Sequence, residues 1–173
     1  APPRVFENLL TQVMIRMEDA GKLKRAAFHY FMEVARRCGA EILDGKPGIG
    51  LGDRLLYALG NILIYGPLRN VLGMSRIRVA YTAGAAIGPD LFRFYRSIGI
   101  NMKQLYGATE TCAYVCLQPD GDIKLDSVGK PAPGVEVKIG ENGEVLVKSA
   151  AMLKEYYKRP DATAESIDGD GYF

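Results

Sequence analysis

Apolar residues recur at helical spacing through the first third of the chain. From Leu23 onward, Leu23, Ala26, Ala27, Tyr30, Phe31, Val34, Ala35 and Cys38 stand at i, i+3, i+4, i+7, i+8, i+11, i+12 and i+15. That spacing draws one stripe along a helix, and Gly39 is expected to end it. His29 falls off the stripe beside Arg25, Glu33 and Arg36, so a solvated histidine is expected rather than a catalytic base. An earlier helix is predicted through Val5, Leu9, Val13 and Met17 after Pro2-Pro3. Asp44 to Asp53, "DGKPGIGLGD", reads as a linker, because its glycines do not follow a dinucleotide-loop spacing and no strand precedes them. A third helix is predicted from Leu55 to about Tyr65, with Pro67 marking its stop.

The middle of the chain changes period. "RIRVAYTAGA" has the β-branched and aromatic content of a strand, "PDLFRFYRSIG" is an amphipathic helix opened by Pro89 and closed by Gly99, and "NMKQLYG" is a second short strand. Together they predict a parallel β-α-β unit, in which ligands sit beyond the carboxyl ends of the strands, where Gly84 and Gly107 fall. After Glu110 the short runs "AYVCLQ", "DIKLDSVG", "GVEVKIG" and "GEVLVKS" are separated by turn residues and predict an antiparallel sheet or barrel. "VEVKIGENGEVLVK" reads as a hairpin, with Val135, Val137 and Ile139 on one face and Glu136 and Lys138 on the other. The tail from Leu153 predicts a short helix, a turn at Pro160 and a second short helix. The expected class is therefore α/β, with amino-terminal helices and the β-α-β unit in residues 1–111 and a small antiparallel β subdomain in 112–173.

Composition narrows the function classes. A chain that is 48% hydrophobic and 24% charged is a globular protein, and 22 basic against 20 acidic residues, well mixed, leave no electrostatic footprint for nucleic acid. Three cysteines without framework spacing fit a reducing compartment and are expected as small core or strand residues. Cys112 and Cys116 have no histidine near them in sequence, so a zinc site would lack ligands. No apolar run reaches the roughly 20 residues of a membrane span, and "APPRVFENLL" is not a signal peptide. A cytoplasmic setting is expected, one that allows peripheral membrane contact.

The stretch "QLYGATE" concentrates chemistry at the end of the second strand. Gly107 lets a backbone approach a flat or charged ligand, and Tyr106 offers a π-face suited to a purine. Thr109 supplies a hydroxyl for a phosphate oxygen, and Glu110 a hard carboxylate of the kind Mg²⁺ accepts alongside nucleotide phosphates. At the other strand end Thr82 precedes the small residues Gly84, Ala85 and Ala86, which leave a slot for a planar base or an acyl group. On the residues alone, a nucleoside phosphate with its metal competes with a plain strand end whose Thr109 and Glu110 cap the next stretch of chain.

"QLYGATE" resembles the Tyr-Gly-x-Thr-Glu motif of the acyl-adenylate-forming superfamily, and "TAGAA", "VGKPAPGVEVKI", "GEVLVKS" and the "MLKEYYKRPDATAESIDGDGYF" tail resemble it in order and spacing. The "RVFENLL" opening and the long insert before "LGNILIYGPLRNVLG" are most similar to long-chain fatty acid–CoA ligases. The resemblance implies part of an adenylate-forming amino-terminal domain that works with ATP, Mg²⁺, a fatty acid and coenzyme A. It implies that Gln104, Tyr106 and Gly107 line an adenine pocket with Gly84, Ala85 and Ala86, whose far side faces the acyl group. Thr109 would bond the nucleotide phosphate and Glu110 the metal, the two being the catalytic pair. An amino-acid-activating or luciferase-like adenylase, and a non-catalytic α/β interaction module, are the competing expectations. Many relatives carry a second glycine and a proline where this chain has Ala85 and Ile87. The family's lysine-ending phosphate loop, its ribose-binding aspartate and its small carboxy-terminal domain are not in the sequence, so a fragment, inactive on its own, is expected.

Overall fold

A computed structural model describes residues 1–173. The chain divides into units Ala1–Lys103 and Gln104–Phe173, earlier than the change of sequence pattern after residue 111 suggested. Antiparallel pairing of the second strand with the third draws Gln104 to Glu110 into the second unit.

The first unit is built on helices α1 (Pro3–Glu18) and α2 (Lys22–Leu43). Gly39 does not end α2, which continues to Leu43. A β-carbon on Gly39 would stand 2.1 Å from the Ser97 carbonyl oxygen, so the glycine is there to let another helix cross closely. The buried face of α2 is Phe28, Phe31, Met32, Val34, Ala35 and Cys38. Of the predicted stripe, Leu23, Ala26 and Tyr30 lie outside, Leu23 and Tyr30 being 85% and 55% exposed. His29 is exposed as expected, its Nε2 3.7 Å from Glu18 Oε1.

Pro67 does not stop the third helix. Helix α3 (Leu51–Gly60) passes through a π-helical turn (Asn61–Tyr65) into α4 (Gly66–Val71), with the proline in the first positions after the turn. The wider π-turn changes the hydrogen-bond register where proline has no N–H to give, which is how the helix carries through. Helix α3 begins at Leu51, so the linker is shorter than predicted, and Asp53 in its first turn pairs with Arg37.

Strand β1 is confined to Ala80–Thr82, because Arg76 to Val79 are exposed and carry no ladder. Helix α5 (Pro89–Ser97) buries Leu91, Phe92 and Tyr95. Tyr95 packs edge-on against Phe6, centroids 5.2 Å apart, and donates a 2.7 Å hydrogen bond to the Phe6 carbonyl. Arg96, 3% exposed, donates to the Met102 carbonyl at 2.9 Å and to Asp44 at 2.5 Å, so its charge is paired. Ala80 N–H donates to the Asn101 carbonyl at 2.9 Å, where β2 (Met102–Tyr106) begins.

In the second unit the end of β2 pairs antiparallel with β3 (Cys116–Leu117), and β3 with β4 (Lys130–Pro131). β5 (Val135–Ile139) and β6 (Val145–Ser149) form the predicted hairpin, with Val137 opposite Val147. Val115, Cys116 and Val147 make its core, with Val135 and Val137 against them. Cys112 is exposed, contrary to the expectation that all three cysteines are core or strand residues. "DIKLDSVG" is not a strand. Its carbonyls are taken by glutamine side chains: Gln118 Nε2 donates to Lys124 and Ser127, and Gln104 Nε2 to Leu125. Only the second tail helix forms, α6 (Pro160–Ser166), and proline opens it rather than making a turn before it. Beyond it, Phe173 and Val147 exchange backbone hydrogen bonds, each 2.9 Å.

Candidate functional site

The residues singled out in the sequence fall in two loops, one in each unit. In the first unit, β1 ends at Thr82 and leads into Gly84, Ala85 and Ala86, all exposed, with Gly84 at φ +89°. Ile87, where many relatives were expected to have proline, points its bulk inward and is 5% exposed. Thr82 is 1% exposed, and its hydroxyl has no hydrogen-bond partner. A buried hydroxyl left unpaired costs about 1–3 kcal/mol, so this atom is a local weakness of the strand end.

In the second unit, β2 hands over to a tight reversal. Gly107 sits where a β-carbon would meet the carbonyl oxygen, carbonyl carbon and Cα of Ala113 at 2.1, 2.3 and 2.8 Å. The glycine is thus required by the chain's own return, before any ligand is considered. Ala113 N–H donates to the Ala108 carbonyl at 2.8 Å and Val115 N–H to that of Tyr106 at 3.0 Å, which closes the loop. Inside it Thr109–Thr111 make one 3₁₀ turn, and Thr111 Oγ1 accepts from Ala108 N–H at 3.0 Å. Cys112 and Ala113 are left-handed, at φ 51° and 67°. Two such residues in succession cost energy and mark a segment whose shape is imposed by its surroundings.

This reversal sets out its side chains unequally. Tyr106 is 39% exposed and Thr109 is exposed, while Gln104 is buried at 7%. Gln104 donates through Nε2 to Leu125 at 3.0 Å, and its N–H donates to Gln118 Oε1 at 2.7 Å, so it ties β2 to the 122–127 loop. Glu110 is held twice by one segment. Its carbonyl accepts from Leu153 N–H at 2.7 Å, and its Oε1 accepts from the Tyr156 hydroxyl at 3.1 Å. Partial burial and the hydrogen bond to this carboxylate raise the Tyr156 phenol above its ordinary value, against a smaller lowering by the Ser166 side chain. The structure therefore brings Gln104, Tyr106, Gly107, Thr109 and Glu110 together on one short element.

Sequence pattern missed Leu153, Tyr156 and Gln118. Gln118 had a signal, as the one polar residue closing the apolar run "YVCLQ". Tyr156 had none, since "EYYK" gives no reason for Tyr156 to turn inward and Tyr157 to stay 81% exposed.

Metal-binding capacity follows from the donors. No group of three or more His, Cys, Asp or Glu gathers to form a protein-only cage. One carboxylate with Oε2 uncommitted, beside an exposed hydroxyl, instead suits Mg²⁺ that arrives with phosphates and takes one or two protein oxygens. The residues present fit that ion.

The AMP-binding enzyme family model matches residues 1–157. A putative fatty-acid–CoA ligase, fadD11 of Mycobacterium tuberculosis, is 33% identical over 175 residues, which cover 99% of this chain and 30% of the relative. The long-chain-fatty-acid–CoA ligase FadD15 of the same organism is 33% identical over 171 residues, 99% of this chain and 28% of that protein. Among solved structures, the N-terminal domain of FACL13 from M. tuberculosis is similar at a TM-score of 0.51 and 29% identity, over 64% of this chain and 32% of that one. A malonyl-CoA ligase in a ternary product complex with methylmalonyl-CoA and AMP gives the same TM-score and identity over 67% of this chain and 26% of that one. The chain spans about 30% of the length of the curated relatives it matches.

Proposed function

Because the chain belongs to the AMP-binding enzyme family, we propose that it supplies the nucleotide-handling centre of a long-chain fatty acid–CoA ligase. The observation that carries the reading is the reversal after β2, which exposes Thr109 while fixing Glu110 at both its main chain and its carboxylate. In the reaction, a fatty-acid carboxylate oxygen attacks the α-phosphorus of ATP and pyrophosphate leaves. The CoA thiolate then attacks the acyl carbonyl of the acyl-AMP and AMP leaves.

Each residue has a task in the first half. Thr109 donates its hydroxyl to a nucleotide phosphate oxygen, where negative charge builds as the α-phosphorus is attacked. Glu110 offers Oε2 to Mg²⁺, which when bound neutralises phosphate charge and orients the polyphosphate. Tyr106 gives its exposed ring face to the adenine, and Gly107 and Gln104 fix the backbone from which that ring projects. Gly84, Ala85 and Ala86, in the first unit, offer exposed small surfaces of the kind that takes a flat base or an acyl chain. Most of the rate enhancement is positioning and charge neutralisation, which such a set can supply without a general base. The reading carries a cytoplasmic setting, favoured by three unpaired thiols. No helix is long and apolar enough to cross a membrane.

Glu110→Ala in the full-length polypeptide that contains this sequence is the test. It is expected to abolish fatty-acid-dependent ATP–pyrophosphate exchange through weakened metal-nucleotide binding. Unchanged kcat with unchanged Mg²⁺ dependence would refute the role. Assaying the unsubstituted enzyme across acyl chain lengths and amino acids separates a long-chain ligase from another adenylate-forming enzyme.

A further inference from the structure

We propose that Tyr156 is a positioning residue for Glu110: its hydroxyl holds Oε1 so that Oε2 is the oxygen offered to the nucleotide-bound metal. This role rests on the reading of Glu110 as the metal-binding carboxylate.

A glutamate on a short turn has three side-chain rotors, and ordering them costs up to about 2 kcal/mol. Here that ordering precedes any ligand. The Tyr156 hydroxyl donates to Oε1 at 3.1 Å, and Leu153, three residues earlier, donates its N–H to the Glu110 carbonyl at 2.7 Å. The tyrosine is itself pinned. Its N–H donates to Thr163 Oγ1 at 2.9 Å, and Thr163 Oγ1 donates to the Arg159 carbonyl at 3.0 Å. Helix α6 thus stands behind the tyrosine as the tyrosine stands behind the carboxylate.

Two effects of the hydroxyl oppose each other. By donating to Oε1 it withdraws electron density and weakens the carboxylate as a ligand, whereas by fixing the group it spares the metal the cost of ordering it. Outer partners of metal ligands settle which effect dominates, because removing one costs about 10–100-fold in metal affinity. Orientation therefore outweighs the loss of electron density.

The test is Mn²⁺ binding by electron paramagnetic resonance, with α,β-methylene-ATP to prevent turnover, on the full-length polypeptide containing this sequence. Tyr156→Phe keeps the ring and removes the donor. It is expected to raise the Mn²⁺ half-saturation concentration about tenfold, to leave fatty-acid affinity unchanged, and to recover kcat at saturating metal. Tyr157→Phe, at the exposed neighbour, is expected to change none of these. In a Glu110→Gln background, Tyr156→Phe should add nothing.

A Tyr156→Phe protein with normal Mn²⁺ binding, alongside a Glu110→Gln protein that binds weakly, overturns the inference and leaves the Glu110 reading standing. If Glu110→Gln also binds Mn²⁺ normally, the Glu110 reading fails and takes the inference with it. An equal loss from Tyr156→Phe with and without Glu110 overturns it as well, since the effect would then bypass the carboxylate. Melting of the metal-free Tyr156→Phe protein should stay within about 4 °C of the parent, as expected for one half-exposed hydrogen bond.

Discussion

Replacing Gly107 by alanine asks whether the reversal after β2 is as tight as its geometry implies. The added methyl would stand 2.1, 2.3 and 2.8 Å from the oxygen, carbon and Cα of Ala113, all main-chain atoms that cannot swing aside. Relief requires the two sides of the reversal to separate by about 1 Å, which strains the Ala113-to-Ala108 and Val115-to-Tyr106 hydrogen bonds, 2.8 and 3.0 Å long. Weakening two such bonds costs about 1 kcal/mol each, and forcing a methyl into a filled space about 1–3 kcal/mol. Restricting the unfolded chain returns about 0.4–1 kcal/mol. The net is a loss of about 3 kcal/mol, or about 6–12 °C in Tm for a chain of this size. Urea unfolding followed by far-ultraviolet circular dichroism, with a parallel thermal scan, measures it directly. A midpoint equal to or above that of the parent would refute the reasoning, because the contact with Ala113 would not then be tight.

Gly39→Ala is expected to destabilise by about 2 kcal/mol despite its better helix propensity, as the methyl would meet the Ser97 carbonyl that also accepts from Tyr57. Gly52→Ala, in α3 with open space around it, should be neutral or stabilising by up to about 1 kcal/mol, and the same urea titration should give the two changes opposite signs. Thr82→Val should stabilise the chain by about 1 kcal/mol by removing the unpaired hydroxyl, and a lowered Tm would show that the hydroxyl has a partner after all. Burial raises the phenols of Tyr65 and Tyr95, and chiefly burial raises Tyr57 to about 12, so the folded state holds protons that the unfolded chain releases near pH 10. Their contribution to stability is whole below pH 10 and is lost as pH rises toward 12. The share of tyrosinate absorbance due to these three should therefore appear only together with unfolding, and ionisation of the full set of tyrosines near pH 10 with the fold intact would contradict this.

Much of the fold could be read from spacing, and the failures share a cause. The α1 helix, the α5 helix and the β5-β6 hairpin were visible because one strong period and local turn residues agree in each. At Gly39 and Pro67 the local rule for ending a helix was overruled, once by a neighbouring helix that needs the missing side chain and once by a π-turn that accommodates the proline. The α2 stripe was rotated because Leu23 and Tyr30 are apolar yet outward, while Phe28 and Met32 lie inward. "DIKLDSVG" alternates like a strand, but glutamine amides satisfy its backbone instead of a ladder. At the candidate site, Thr109 and Glu110 could be singled out because a hydroxyl beside a carboxylate is itself a chemical signal. Tyr156 was not, because it reaches Glu110 across 46 positions of chain and no local pattern encodes such a meeting.

Gln118 has a consequence for how this region can change over time. A single amide, 1% exposed, grips the main-chain oxygens of Lys124 and Ser127 and nothing of their side chains. The segment it fastens is therefore free to drift in sequence while its path is kept, since peptide oxygens are the same whatever residue bears them. Variation should accumulate at 123–126, between Asp122, which pairs with Lys130, and Ser127, whose Oγ accepts from Gly129 N–H, and be disfavoured at 118, so that an unremarkable residue governs a stretch whose own letters carry little information.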